Sequence, residues 1–202
     1  VYILCQTFTT VSEQTVTRKG FVALCRLEEF DKKIVLPHEK TLAKPREDRF
    51  KLFKATNANF SQIFSLYSDP EQYIDRLMNG FSKTTPVIDV TYEDVHNQMW
   101  RLHDAQAIKH IQNFLESKQV LIADGHHRYE TALAYRDLMR SQNPKHTGNE
   151  PYNFVMMFFT NIDDDSLVIY PTHRIVHSLQ NFDRKQFLQD IGMENKGLEY
   201  SQ

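Results

Sequence analysis

The stretch that most constrains the fold is QVLIADGHHRYETALAYRDLMR, residues 119–140. It opens on Val120-Leu121-Ile122-Ala123, an apolar run of strand length that reads as a short buried strand. Five polar or turn-forming positions follow, Asp124-Gly125-His126-His127-Arg128. A helical pattern then runs from Tyr129 to Arg140, with Ala132, Leu133, Tyr135 and Leu138–Met139 available for packing. A strand, a polar turn and a helix in that order need a sheet beside the strand and a packed layer under the helix.

The remaining pattern supplies that sheet. Strands are expected over Tyr2–Phe8 and Gly20–Leu27, joined by a polar connection and able to pair antiparallel. Ile34-Val35-Leu36 is a short run stopped by Pro37. A helix is expected over 45–57, with Pro at its start and acids in its first turn. A strand-like stretch covers Phe60–Leu66, and a helix follows from Asp69-Pro70 to about Gly80. Val87–Thr91 and Val95–Leu102 read as strands, and Asp104 as the N-cap of a helix over 105–117 with Ile108, Ile111 and Leu115 in its stripe. Asn153–Thr160 is a strongly apolar strand, NIDDDS an acidic turn, Leu167–Tyr170 a returning strand, and Phe182–Asp190 a last helix. Strands interleaved irregularly with helices predict an α+β fold, a mixed sheet with surrounding helices, as a single domain over 1–202. The chain starts at Val1 inside a strand pattern and ends in MENKGLEYSQ, so a fragment of a longer protein, cut at both ends, is expected.

Charge narrows the function classes. The formal net charge is −2, with bases and acids interspersed, so a dedicated nucleic-acid binder is disfavoured. No apolar run approaches the ~20 residues of a membrane span, and VYILCQTF has neither the basic region nor the cleavage site of a signal peptide. Cys5 and Cys25 sit in strand-like runs and read as buried free thiols, which fits a reducing cytoplasm.

Three polar clusters carry candidate chemistry. At 124–128 the exposed N–H groups of a helix start and the helix dipole attract anions. Gly125 lets backbone approach a ligand, Arg128 can grip phosphate with two N–H groups, and Asp124 can hold Mg²⁺ beside phosphate oxygens. His126 and His127 can donate to phosphate or move protons. An anion site is favoured over a plain polar turn. A zinc site is weaker still, since no cysteine is near and adjacent histidines do not face one ion. In LPHEKT, residues 36–41, Glu39 beside His38 offers a general base, or merely a solvated loop. In YPTHR, Thr172, His173 and Arg174 offer a second anion contact, or only a polar strand end. His96, His103 and His110 recur every seven residues but do not share a face on a strand followed by a helix. No P-loop and no dinucleotide glycine fingerprint is present.

Pro37-His38-Glu39 upstream of IADGHHR resembles the free L-serine kinases of the ParB/sulfiredoxin-like superfamily, whose archaeal member carries a PHE segment and then V-D-G-H-H-R-W. The longer set TRKGF, LPHEKT, DRFKLFKATNANFSQIF, IADGHHRYETAL and PTHR resembles a large bacterial and archaeal family described only as a domain of unknown function, with a chain about twice this length. The resemblance implies a ParB/sulfiredoxin-like core and a Mg²⁺-dependent transfer of phosphoryl from ATP or ADP to free serine. It implies Glu39 as the base and Asp124 as an acid assisting Mg²⁺ or the hydroxyl. Gly125, His126, His127 and Arg128 would be the phosphate loop, and His38 would orient Glu39 or touch phosphate. Thr172, His173 and Arg174 would meet a substrate carboxylate. Tyr129 stands where the archaeal enzyme has Trp, and some eighty residues separate PHE from DGHHR here. That inserted segment, including helix 70–80 and strands 87–102, is expected to cover the site or alter substrate choice. Nucleotide hydrolysis and a nucleotide-responsive partition-type module are the alternatives. Sulfiredoxin chemistry is disfavoured, since it needs a loop cysteine and 124–128 has none.

Overall fold

The computed structural model describes residues 1–39, 43–170, 177–178 and 180–190. The chain divides into two compact units, Val1–Val168 and Ile169–Gln202. The larger unit is an α+β fold on one mixed sheet of eight strands, in the order β3-β7-β4-β8-β2-β1-β6-β5.

β1 (Tyr2–Thr9) and β2 (Thr15–Arg26) form an antiparallel hairpin. The connection between them shrinks to a turn at 10–14, closed by Thr10 N–H donating to Gln14 O at 2.8 Å. TVTRK looks like a loop because it is polar, yet it is strand, because its cross-strand partners are polar too. Thr17 Oγ1 lies 2.9 Å from Thr7 Oγ1, and Arg18 Nη2 donates to Gln6 Oε1 at 2.7 Å. Cross-strand pairs of this kind are what stabilise a sheet locally.

β8 (Phe154–Asn161) lies mid-sheet, antiparallel to β2 and parallel to β4 (Ile63–Tyr67). β7 (Val120–Asp124) runs antiparallel to β4 and parallel to the short β3 (Val35–Leu36). β5 (Ile88–Tyr92) and β6 (Val95–Arg101) form a hairpin at the other edge. The strand expected to return over Leu167–Tyr170 does not form. β2 and β4 already take both sides of β8, so no ladder position is open beside it.

Strand alternation sends Ile3, Phe21, Ile63, Ile122, Met157 and Phe159 to one buried cluster. Ile74 and Met78 of α2 (Tyr73–Phe81), Ala107 and Ile111 of α3 (Ala105–Leu115), and Tyr129, Ala132 and Leu133 of α4 (His126–Gln142) join it. Each large side chain so buried contributes roughly 1.5–3 kcal/mol. α1 (Ala43–Thr56) packs on α4, where the Phe53 ring meets Tyr135 edge-on at 4.7 Å. Asp104 caps α3 as expected, accepting from Ala107 N–H at 2.7 Å. α2 begins at Tyr73, later than the pattern implied, because Gln72 adopts φ +53° and the Asp69 carboxylate accepts the Ile74 N–H.

α4 begins at His126 rather than Tyr129. Gly125, at φ +101°, makes the sharp turn out of β7, and its carbonyl accepts from both Arg128 N–H and Tyr129 N–H. The two histidines and Arg128 are therefore the first turn of the helix, not a loop before it. In the smaller unit, α5 (Arg184–Asp190) is capped by Asp183, whose carboxylate accepts from Lys185 and Gln186 N–H. Cys5 is a buried free thiol, while Cys25, also free, is only partly buried. Among the described residues no helix is long and apolar enough to cross a membrane.

Candidate functional site

Topology builds the site before any side chain does. β3 and β7 are parallel neighbours, with Val35 opposite Val120 and Leu36 opposite Leu121, so both end at the same side of the sheet. Whatever follows them meets there: Pro37-His38-Glu39 after β3, and Gly125–Arg128 after β7. β4 is antiparallel to β7, with Phe64 opposite Asp124, so the segment before it, 58–62, arrives at the same place. Ligand sites of open sheets containing parallel strands gather beyond such strand ends.

The 38–39 segment is fastened to the start of α4. His38 N–H donates to His126 Nε2 at 3.2 Å, and His38 Nδ1 donates to Ile122 O at 2.7 Å. A carbonyl only accepts, so His38 carries its proton on Nδ1 and keeps the lone pair on Nε2. His126 receives a backbone N–H on Nε2, so its proton belongs on Nδ1, which faces Glu39 Oε2 at 3.7 Å. That separation is a charge–dipole contact, longer than a hydrogen bond. His126 is 3% exposed, and burial holds its pKa below the ordinary histidine value, with His38 adding to the effect. It is a neutral imidazole that works inward, placing residues 38–39. Glu39 is 63% exposed, so its carboxylate stays open to solvent while it faces His126.

Arg128 holds the other side. Its Nη2 donates to Asp124 Oδ2, and its Nη1 donates to Ser61 Oγ at 2.9 Å and to the Gln62 carbonyl. The guanidinium thus ties the 61–62 segment to the first turn of α4. A Cβ on Gly125 would lie 2.9 Å from Arg128 Nε and displace the guanidinium, while the positive φ itself favours glycine. No side chain caps α4 at Gly125.

Two cation arrangements are compatible with these residues. His38, Glu39 and His126 each place one ligand atom within 4.8 Å of the others, the one such group among the described residues. Ligation by His126 Nδ1 would move its proton to Nε2, against the His38 N–H, so His38 and Glu39 are the better donors there. Asp124 stands outside that group. Arg128 engages its Oδ2 only, and its side chain is 74% exposed. Mg²⁺ asks for one or two carboxylates beside phosphate oxygens and water, so this donor fits the ion.

The structure therefore brings His38, Glu39, Asp124, Gly125, His126 and Arg128 to one end of the sheet. His127 sits in the same helical turn, its carbonyl accepting from Thr131 Oγ1 at 2.6 Å. Thr172, His173 and Arg174 lie outside the described residues. The expectation that strands 87–102 cover the site is overturned. β5 and β6 lie at the opposite edge of the sheet from β3, and α2 follows the far end of β4. His96 pairs with Asp89 at 2.7 Å, on that distant hairpin, rather than with His103 and His110. Sequence reasoning missed Ser61 and Gln62. Their only signal was their place inside the matched stretch DRFKLFKATNANFSQIF, where no role was given to them.

A family model described as protein of unknown function (DUF1015) matches residues 1–196. The chain belongs to this family. No curated protein and no solved structure matches it. For a DUF1015 protein, then, chemistry has to be read from the site itself, and the pairing of Glu39 with the DGHHR turn is its most specific feature.

Proposed function

We propose that this DUF1015 protein is a Mg²⁺-dependent small-molecule kinase that transfers phosphoryl from ATP or ADP to a free amino-acid hydroxyl, with L-serine as the favoured acceptor. The observation that carries the reading is the meeting of Glu39 with the start of α4, where Glu39 Oε2 lies 3.7 Å from His126 Nδ1. Residues distant in sequence put a carboxylate base beside a helix start that attracts phosphate. The likeness of PHE and DGHHR to the ParB/sulfiredoxin-like serine kinases supplies the reaction class.

In this reading Glu39 accepts the hydroxyl proton as the substrate oxygen bonds the terminal phosphorus and the bridging P–O bond breaks. The first N–H groups of α4, with Gly125, His127 and Arg128, hold the phosphates. His126 positions Glu39, and His38 offers its Nε2 lone pair to a substrate N–H or O–H. Asp124 would hold Mg²⁺, which would supply positive charge to the phosphates. The cytoplasm is the compartment where nucleotide and amino acid meet. A nucleic-acid partner is disfavoured by the charge balance.

The test is incubation with Mg²⁺, ATP or ADP, and L-serine, with O-phosphoserine as the readout. Glu39→Gln is expected to lower turnover about 10²- to 10⁴-fold while nucleotide binding survives. Near-normal turnover removes Glu39 from the chemistry. Nucleotide hydrolysis is a second reading, favoured by the 63% exposure of Glu39, which gives water access to it. Serine-independent phosphate release without phosphoserine decides for it.

A further inference from the structure

Beside the DGHHR turn lies a small open cleft of about 80 Å³. Its walls are Leu52 and Phe53 of α1, Asn59 and Phe60 of the segment before β4, and Arg128 and Thr131 of α4. We propose that this cleft receives the base of the nucleotide whose phosphates sit at the start of α4, with Phe60 as the stacking platform. The proposal rests on the nucleotide reading above and extends it to a specific subsite.

Three observations point to a flat, polar-edged, anionic ligand. First, Phe60 is 69% exposed and Leu52 51% exposed, so the cleft presents apolar surface. Second, Phe53 is held in place by its edge-on contact with Tyr135, and Tyr135 is fixed in turn by its hydroxyl donating to Asn57 Oδ1. The aromatic wall is preorganised, which lowers the cost of binding. Third, Arg128 belongs to both places. It lines the cleft, and its Nη1 bond to Ser61 Oγ sets the 59–61 segment at one guanidinium's length from the phosphate turn. A ligand lying along the cleft meets Phe53 and Phe60 with Asn59 beside them, and reaches the Arg128 side chain toward the phosphate turn. An apolar peptide side chain would leave Asn59 and Arg128 unused. A nucleotide uses all of them.

The experiment is calorimetric titration of the protein, in Mg²⁺, with ATP and with inorganic tripolyphosphate, which carries the phosphates but no base. ATP is expected to bind at least tenfold more tightly than tripolyphosphate. Phe60→Ala is expected to weaken ATP by roughly 5- to 150-fold, the worth of one base–aromatic stack, with tripolyphosphate unchanged and with recovery in Phe60→Tyr. Phe60 is exposed, so its replacement leaves the core intact. Equal affinity for ATP and tripolyphosphate, or an unaltered ATP affinity in Phe60→Ala, overturns the base subsite and leaves the phosphate site standing. Failure of both ligands to bind overturns the nucleotide reading and this proposal with it.

Discussion

Gly125→Ala tests the turn on which the site depends. Gly125 adopts φ +101°, where an L-residue pays about 1–2 kcal/mol in backbone strain. The new Cβ would also stand 2.9 Å from Arg128 Nε and Nη2 and 3.0 Å from Cζ. The guanidinium would have to move, and its bonds to Ser61 and Gln62 would lengthen or break. Hydrogen bonds from a charged group contribute about 1.5–3 kcal/mol each, whereas the pair with exposed Asp124 adds little. A total loss of roughly 2–4 kcal/mol follows, since the guanidinium can keep part of its contacts by shifting. For a chain of this length that lowers Tm by roughly 5–15 °C. Gly80→Ala is the matched control. It lies inside α2, and an added Cβ meets nothing within 4 Å, so it should gain about 0.5–1 kcal/mol. Thermal and urea unfolding of both variants against the parent measure the pair. A loss below about 0.5 kcal/mol in Gly125→Ala would refute the argument from strain and crowding. So would the same sign of change in the two variants.

Two further perturbations probe how the surrounding fold is held. Tyr129 is fully buried, and its hydroxyl both accepts from Glu28 N–H at 2.9 Å and donates to Glu28 O at 2.8 Å. Tyr129→Phe keeps the ring stack on Phe30 but strands those two backbone groups, so urea unfolding should show a loss of roughly 2–4 kcal/mol. A change within ±0.5 kcal/mol would show that water replaces the hydroxyl. Asp75 is buried, its Oδ1 has no partner, and only Asn161 Nδ2 donates to its Oδ2. Burial, with the nearby Asp164 and Asp69, holds its pKa above the usual carboxylate range. Its folded-state pKa exceeds the unfolded value, so the parent should lose stability as pH rises from about 4 through that raised pKa, then level off. Asp75→Asn keeps an acceptor for Asn161, removes this decline, and should gain about 1 kcal/mol at pH 7. Unfolding midpoints at pH 4 and pH 7 measure it, and an unchanged pH slope in the variant would exclude Asp75 as its source.

Local pattern was a good guide wherever one face of an element was apolar. The stripe of Ile108, Ile111 and Leu115 after Asp104 predicted α3, and the apolar run before Asp124 predicted β7, because both patterns reflect burial on one side. It failed where polarity was paired rather than solvated. Thr17 and Arg18 read as loop and are strand, because Thr7 and Gln6 across the sheet satisfy them. It failed again at His126. A polar run after a strand reads as a turn, but Gly125 needs only one left-handed residue to start the helix.

The sequence by itself determined the residue types of the candidate site, the strand–turn–helix that bears DGHHR, the one glycine that turn demands, and membership of a family. Tertiary structure alone decided which of those residues meet. β3 is only Val35–Leu36, and nothing in so short a run says which neighbour it pairs with or in which direction. Its parallel pairing with β7 is what carries Glu39 to His126, and its place at the edge opposite β5 is what keeps strands 87–102 away. Pairing of distant strands depends on the whole core they bury together, and that sum is not written in any local window.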